Sequence, residues 1–63
     1  MPIIQVNLIE GRPPEKIEKL IELMTDAAVN ALDAPRESVR IMVNEYPRNN
    51  FGIGGVTAQK LGR

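Results

Sequence analysis

Residues 13–32 read PPEKIEKLIELMTDAAVNAL, and this stretch decides the fold. From Glu15 to Leu32, the residues Ile17, Leu20, Ile21, Met24, Ala27, Ala28, Ala31 and Leu32 recur at three- and four-residue spacing. That period predicts an amphipathic helix, roughly 27 Å long at 1.5 Å per residue. Glu15, Glu18, Lys19, Glu22 and Asp26 take much of the opposite side, and acidic groups in the first turn suit the helix dipole. Pro13 and Pro14 belong at a helix entrance, where a missing N–H does no harm. The run Asp33-Ala34-Pro35 ends the helix, because the residue before a proline is biased away from helical geometry.

Strand patterns flank this helix on both sides. In residues 2–9, Ile4, Val6 and Leu8 fall on one face, with Gln5 and Asn7 on the other. Ile3 and Ile9 add apolar groups to that second face, so both faces are expected to be covered. Pro2 opens the strand, one of the few places where proline fits. In residues 38–46, Val39, Ile41 and Val43 point one way, and Arg40, Met42 and Asn44 the other. Strand, long helix, strand is a β-α-β unit, which predicts two parallel strands joined by a right-handed crossover. YPRNN (46–50) reads as a loop. The glycine-rich tail FGIGGVTAQKLGR (51–63) reads as a short hairpin or arm, placed to pack on a neighbouring subunit. No linker, low-complexity segment or repeat interrupts the chain, so residues 1–63 are expected to form one domain.

Sixty-three residues bury little surface on folding, and so small a domain is marginal as a monomer. Disulfides, metals and oligomerisation are the usual remedies. Cys and His are both absent, which removes disulfides and makes a transition-metal site a poor expectation. Oligomerisation remains. Only Tyr46 and Phe51 are aromatic; the rest of the hydrophobic 43% is aliphatic or Met, suited to a core that continues into a subunit interface. Eight basic and eight acidic residues cancel, leaving no field to attract nucleic acid or an anionic membrane. No apolar run approaches the ~20 residues of a membrane helix, and no signal-peptide pattern opens the chain. A cytoplasmic protein is the expectation.

Most catalytic chemistries lack their residues. Ser38 is the only serine, and without a histidine base it is a poor nucleophile. Gly52, Gly54 and Gly55 lack the strand–loop–helix context of a phosphate loop and suit a tight turn. Glu18, Glu22 and Asp26 align on the helix but read as a solvated face, since hard-cation sites draw ligands from turns and loops. Pro2 is the unusual candidate. It is either an ordinary strand opener or, once Met1 is removed, a secondary amine able to act as a general base. Two arginines near the predicted sheet, Arg12 and Arg40, add interest, although isolated strand arginines are usually exposed or ion-paired.

Four segments, MPI (1–3), LIEGR (8–12), LDAPRESVRI (32–41) and FGIGG (51–55), resemble the 4-oxalocrotonate tautomerase family in order, spacing and overall length. The resemblance implies a β-α-β protomer assembled as a homohexamer, a trimer of dimers, with sites built from neighbouring subunits. It implies that Pro2 is the general base and that no cofactor or metal takes part. Arg12 binds a carboxylate of a small dicarboxylate substrate. Arg40 engages the 2-oxygen and its adjacent carboxylate and stabilises the developing dienolate. Phe51 supplies part of an apolar pocket. Pro13-Pro14, Asn7, YPRNN and KLGR depart from better-known members and bear on substrate preference.

The implied activity is enol–keto isomerisation of an unsaturated 2-hydroxy dicarboxylate, such as 2-hydroxymuconate in aromatic catabolism. A proline amine is ordinarily too basic for this work. Burial among Ile3, Phe51 and Ile53, and cations at Arg12 and Arg40, both disfavour its charged form. Two alternatives stand beside this reading. One is a relative that hydrates, dehalogenates or decarboxylates; the absence of an acid around NNFGIGG argues against it, while Glu10 and Glu45 keep it open. The other is a non-catalytic oligomerisation subunit, disfavoured by the joint presence of Pro2, Arg12 and Arg40.

Overall fold

The computed structural model describes all residues from Met1 to Arg63. Strand β1 (Ile3–Ile9) leads through a loop to helix α1 (Pro14–Leu32), a 3₁₀ turn (Arg36–Ser38) and strand β2 (Arg40–Tyr46). A second 3₁₀ turn (Arg48–Asn50) precedes a small hairpin of β3 (Gly52–Ile53) and β4 (Val56–Thr57). β1 and β2 pair in parallel from Ile3↔Arg40 to Ile9↔Tyr46, as the β-α-β pattern requires.

The helix boundaries follow local chemistry. Pro13 is the N-cap in extended geometry, with Pro14 in the first turn. At the other end Asp33 adopts φ +55°, a left-handed conformation that Asp tolerates better than most side chains and that stops the helix one residue past Leu32. Pro35 then starts the 3₁₀ turn, which Ser38 closes twice, through its N–H (2.9 Å) and its Oγ (2.8 Å) to the Pro35 carbonyl. Arg36 ties this turn to the helix through Asp26 Oδ1 at 2.6 Å. The second strand therefore begins at Arg40 rather than at Ser38.

α1 lies over β2. Its inward stripe is Ile17, Leu20, Met24 and Ala28, set against the sheet face that carries Ile4, Val6, Leu8, Ile41 and Val43, all at least half-covered. Ile21 and Leu32, also apolar, stay exposed on the helix flank. The opposite sheet face is open in the protomer: Ile3 is 61% exposed, Met42 42% and Tyr46 38%. The whole protomer is a slab of 42 × 23 × 13 Å in which only Ala28 and Ala58 are fully buried. A layer of helix on a layer of sheet, with one sheet face bare, is half of a core.

Gly54 (φ +60°) and Gly55 (φ +85°) are the two central residues of the β3–β4 turn, the sign pattern of a two-residue hairpin that matches strand twist. The tail beyond it folds back: Ala58 N–H donates to Phe51 O at 2.7 Å and Gln59 N–H to Arg48 O at 3.2 Å. This return path is why Ala58 is buried and Ile9 is half-covered. No helix is long and apolar enough to cross a membrane.

Candidate active site

The parallel register divides the sequence candidates between the two ends of one sheet. At the N-terminal end, Pro2 and Arg40 are neighbours: the Arg40 N–H donates to the Pro2 carbonyl oxygen at 3.0 Å. Pro2 is half-buried, and Met1 beyond it is 75% exposed. With Met1 attached, the Pro2 nitrogen is a tertiary amide without a basic lone pair. The Arg40 side chain emerges on the open sheet face, and its Nη1 donates to the Glu37 carbonyl oxygen at 2.7 Å. That bond ties the guanidinium to the 3₁₀ turn before β2.

Arg12 and Phe51 stand at the opposite end. Arg12 follows β1, and its Nη1 bends back to the Ile9 carbonyl oxygen at 3.1 Å. Phe51 precedes the hairpin and lies tilted toward Tyr46, with ring centroids 6.3 Å apart and planes at 60°. Tyr46 in turn donates its hydroxyl to Asn7 Oδ1 at 2.9 Å across the open face. Seven strand residues separate the ends, roughly 23 Å at 3.3 Å per residue. The structure thus joins Pro2 with Arg40, places Arg12 and Phe51 at the other end of the sheet without a contact between them, and keeps the two ends apart within a protomer.

An open cleft of about 340 Å³ sits beside Arg12, lined by Ile9, Glu10, Gly11, Arg12, Arg48 and Arg63. Arg48 and Arg63 are absent from the sequence candidates. Nothing local marks Arg48, which in YPRNN reads as a solvated loop residue; only the return of the tail brings it to Arg63. A cleft lined by three guanidinium groups, with Glu10 and Ile9 beside them, is chemically suited to an anion. No group of His, Cys, Asp or Glu is arranged to hold a metal ion.

A family model described as tautomerase enzyme matches residues 2–60. A 2-hydroxymuconate tautomerase from Pseudomonas sp. (strain CF600) is 51% identical over the full length of both chains. Among solved structures, one from a study of 4-oxalocrotonate tautomerase isozymes of Methylibium petroleiphilum superposes with a TM-score of 0.92 at 39% identity, covering 97% of this chain and 95% of that one. A heterohexamer 4-oxalocrotonate tautomerase from Chloroflexus aurantiacus superposes with a TM-score of 0.90 at 30% identity, covering 97% and 98%.

Proposed function

The chain belongs to the tautomerase enzyme family, and we propose that it converts an unsaturated 2-hydroxy dicarboxylate of the 2-hydroxymuconate type to its conjugated 2-oxo isomer. As a tautomerase it is an isomerase. The reaction removes the 2-hydroxyl proton, whose bonding pair becomes the C2=O π bond, while the C2=C3 pair shifts to C3=C4 and the C4=C5 pair takes up a proton at C5. The Pro2 amine, freed by loss of Met1, carries the proton. Arg40 faces the 2-oxygen and its carboxylate, where charge develops, and a planar fork there stabilises the dienolate. Arg12 holds the remote carboxylate, and Phe51 with Ile53 supplies the apolar wall.

The observation that carries this reading is the division of these groups between the two ends of a sheet whose outer face is bare. A substrate spans far less than the ~23 Å between the ends, so one site takes Pro2 from one protomer and Arg12 with Phe51 from another. Covering Ile3, Met42 and Tyr46 with a second copy brings such ends together and completes the core. A homohexamer built as a trimer of dimers satisfies both needs, with residues 1–63 acting as one domain. The relative from Chloroflexus is a heterohexamer, which makes assembly from two kinds of chain the outcome to test against. Light scattering should give six protomer masses, and ultraviolet spectra should show 2-hydroxymuconate consumed by protein whose N-terminus is verified as Pro2. No turnover by such protein would refute the proposal.

A further inference from the structure

Arg48 opens the second 3₁₀ turn, where Pro47 fixes the entry at φ −59° and Asn50 N–H closes the turn on the Pro47 carbonyl oxygen at 2.9 Å. Its own carbonyl oxygen accepts from Gln59 N–H at 3.2 Å. The side chain then reaches two further segments at once. Nε donates to the main-chain carbonyl oxygen of Arg63 at 2.7 Å. The guanidinium end lies against Gly11, where an added Cβ would meet Nη2 at 3.0 Å, Nη1 at 3.2 Å and Cζ at 3.6 Å. Gly11 has φ +131°, so both the backbone conformation and the close approach call for a residue without a side chain.

The segment that Arg48 covers has few ties of its own. The last rung of the sheet is Glu10 N–H to the Tyr46 carbonyl oxygen at 2.9 Å, and the helix begins with Lys16 N–H on the Pro13 carbonyl oxygen at 3.0 Å. Between them, Gly11 and Arg12 make no backbone–backbone hydrogen bond. The Arg12 side chain makes one hydrogen bond, and it is local, from Nη1 to the Ile9 carbonyl oxygen. Glycine adds conformational freedom of its own. With its Nε bonded and its end seated on Gly11, Arg48 has no open fork for a substrate carboxylate. It is a brace instead, a flat group set on the loop and pinned to the tail.

The geometry points to Arg48 as a positioning residue that pins the Gly11–Arg12 loop to the tail and so holds Arg12 where it meets the remote carboxylate. It acts through Arg12 and does not touch the substrate. This rests on the reading of Arg12 as the group that binds that carboxylate. A loop with no backbone bonds of its own opens at small cost once a tertiary brace is lost. A displaced binding group weakens uniform binding, which is read in KM rather than in kcat. Arg48→Lys keeps the charge but loses the sideways Nε–H and the flat end, so it should behave as Arg48→Gln does.

The test is a double-mutant cycle on KM for 2-hydroxymuconate, using wild-type, Arg48→Gln, Arg12→Ala and doubly substituted proteins. Arg48→Gln should raise KM about fivefold with kcat nearly unchanged, and the double variant should be no worse than Arg12→Ala alone. Losses that simply add would mean that Arg48 acts independently of Arg12 and would overturn the assignment. Wild-type KM in Arg48→Lys would do the same, since charge alone would then suffice. NMR relaxation of the backbone amides reads the brace without turnover: in Arg48→Gln, order should fall together at Gly11, Arg12 and Arg63. Unchanged order at Gly11 and Arg12 would overturn the brace. Light scattering confirms assembly, and if Arg48→Gln fails to assemble, Arg48→Lys takes its place in both measurements. If Arg12→Ala leaves KM unchanged, the reading of Arg12 fails, while the relaxation measurement still decides the brace.

Discussion

The two ends of the β1–β2 sheet are built differently. The N-terminal end is made by strand register and one local tie: Ile3 pairs with Arg40, Arg40 N–H bonds Pro2 O, and the Arg40 guanidinium bonds the Glu37 carbonyl. The C-terminal end is made by return of the chain, with Gly11, Arg48 and Arg63 meeting only because the hairpin and tail fold back onto the end of β1. Chemistry assigned to the first end depends on few residues and on a free terminus. Binding assigned to the second depends on many residues and on the whole tail. The two should therefore fail in different ways when perturbed.

The largest effect belongs to the first end. Protein retaining Met1 should lose activity by about 10²–10⁴-fold, the usual worth of a general base, because its Pro2 nitrogen is an amide. Mass spectrometry paired with the ultraviolet assay checks this. Next come the arginines. Arg40→Ala should lower kcat by about 10²–10³-fold, as removal of a transition-state donor does. Arg12→Ala should instead raise KM by about tenfold with a smaller change in kcat. The reverse pattern would exchange the roles of the two ends.

A subtler difference appears in pH profiles. A proline amine in the proposed role of general base acts unprotonated, so kcat/KM for a substrate that does not titrate should rise with pH through the amine's ionisation. Arg40→Gln removes a positive neighbour, stabilises the charged amine and should move the midpoint of that limb upward. NMR titration of the proline nitrogen should move with it. An unmoved limb would separate Arg40 from the base. The smallest effect lies away from both ends: Asp26→Asn, which breaks the partly exposed pair with Arg36, should cost less than about 1 kcal/mol in denaturant unfolding and leave kinetics alone.

Most of the first end was legible in the sequence, because strand and helix periods are local signals. Ile17, Leu20, Met24 and Ala28 turn inward as their spacing predicts, and β1 runs almost as the alternation of Ile4, Val6 and Leu8 implies. β2 starts two residues later than the alternation implies, since Ser38 spends its N–H and hydroxyl on Pro35 and joins a turn. A second proline, Pro47, likewise turns part of YPRNN into a 3₁₀ segment. The width of the helix stripe was legible but its use was not: Ile21 and Leu32 fit the period yet face outward. YPRNN stands out as a segment, but nothing in it singles out Arg48. Its place follows from a hydrogen bond to a residue fifteen positions away, which no spacing rule anticipates.

The central claim is that Pro2 and Arg12 of one working site come from different protomers, and subunit mixing tests it most directly. Protein retaining Met1 and protein carrying Arg12→Ala are unfolded together in equal amounts, reassembled and assayed at low substrate. Sites that draw Pro2 from an Arg12→Ala chain and Arg12 from a Met1-retaining chain are intact. Random mixing in a symmetric oligomer makes these about a quarter of all sites, so about a quarter of wild-type kcat/KM should return. Activity no higher than the average of the two separate variants would contradict the shared site.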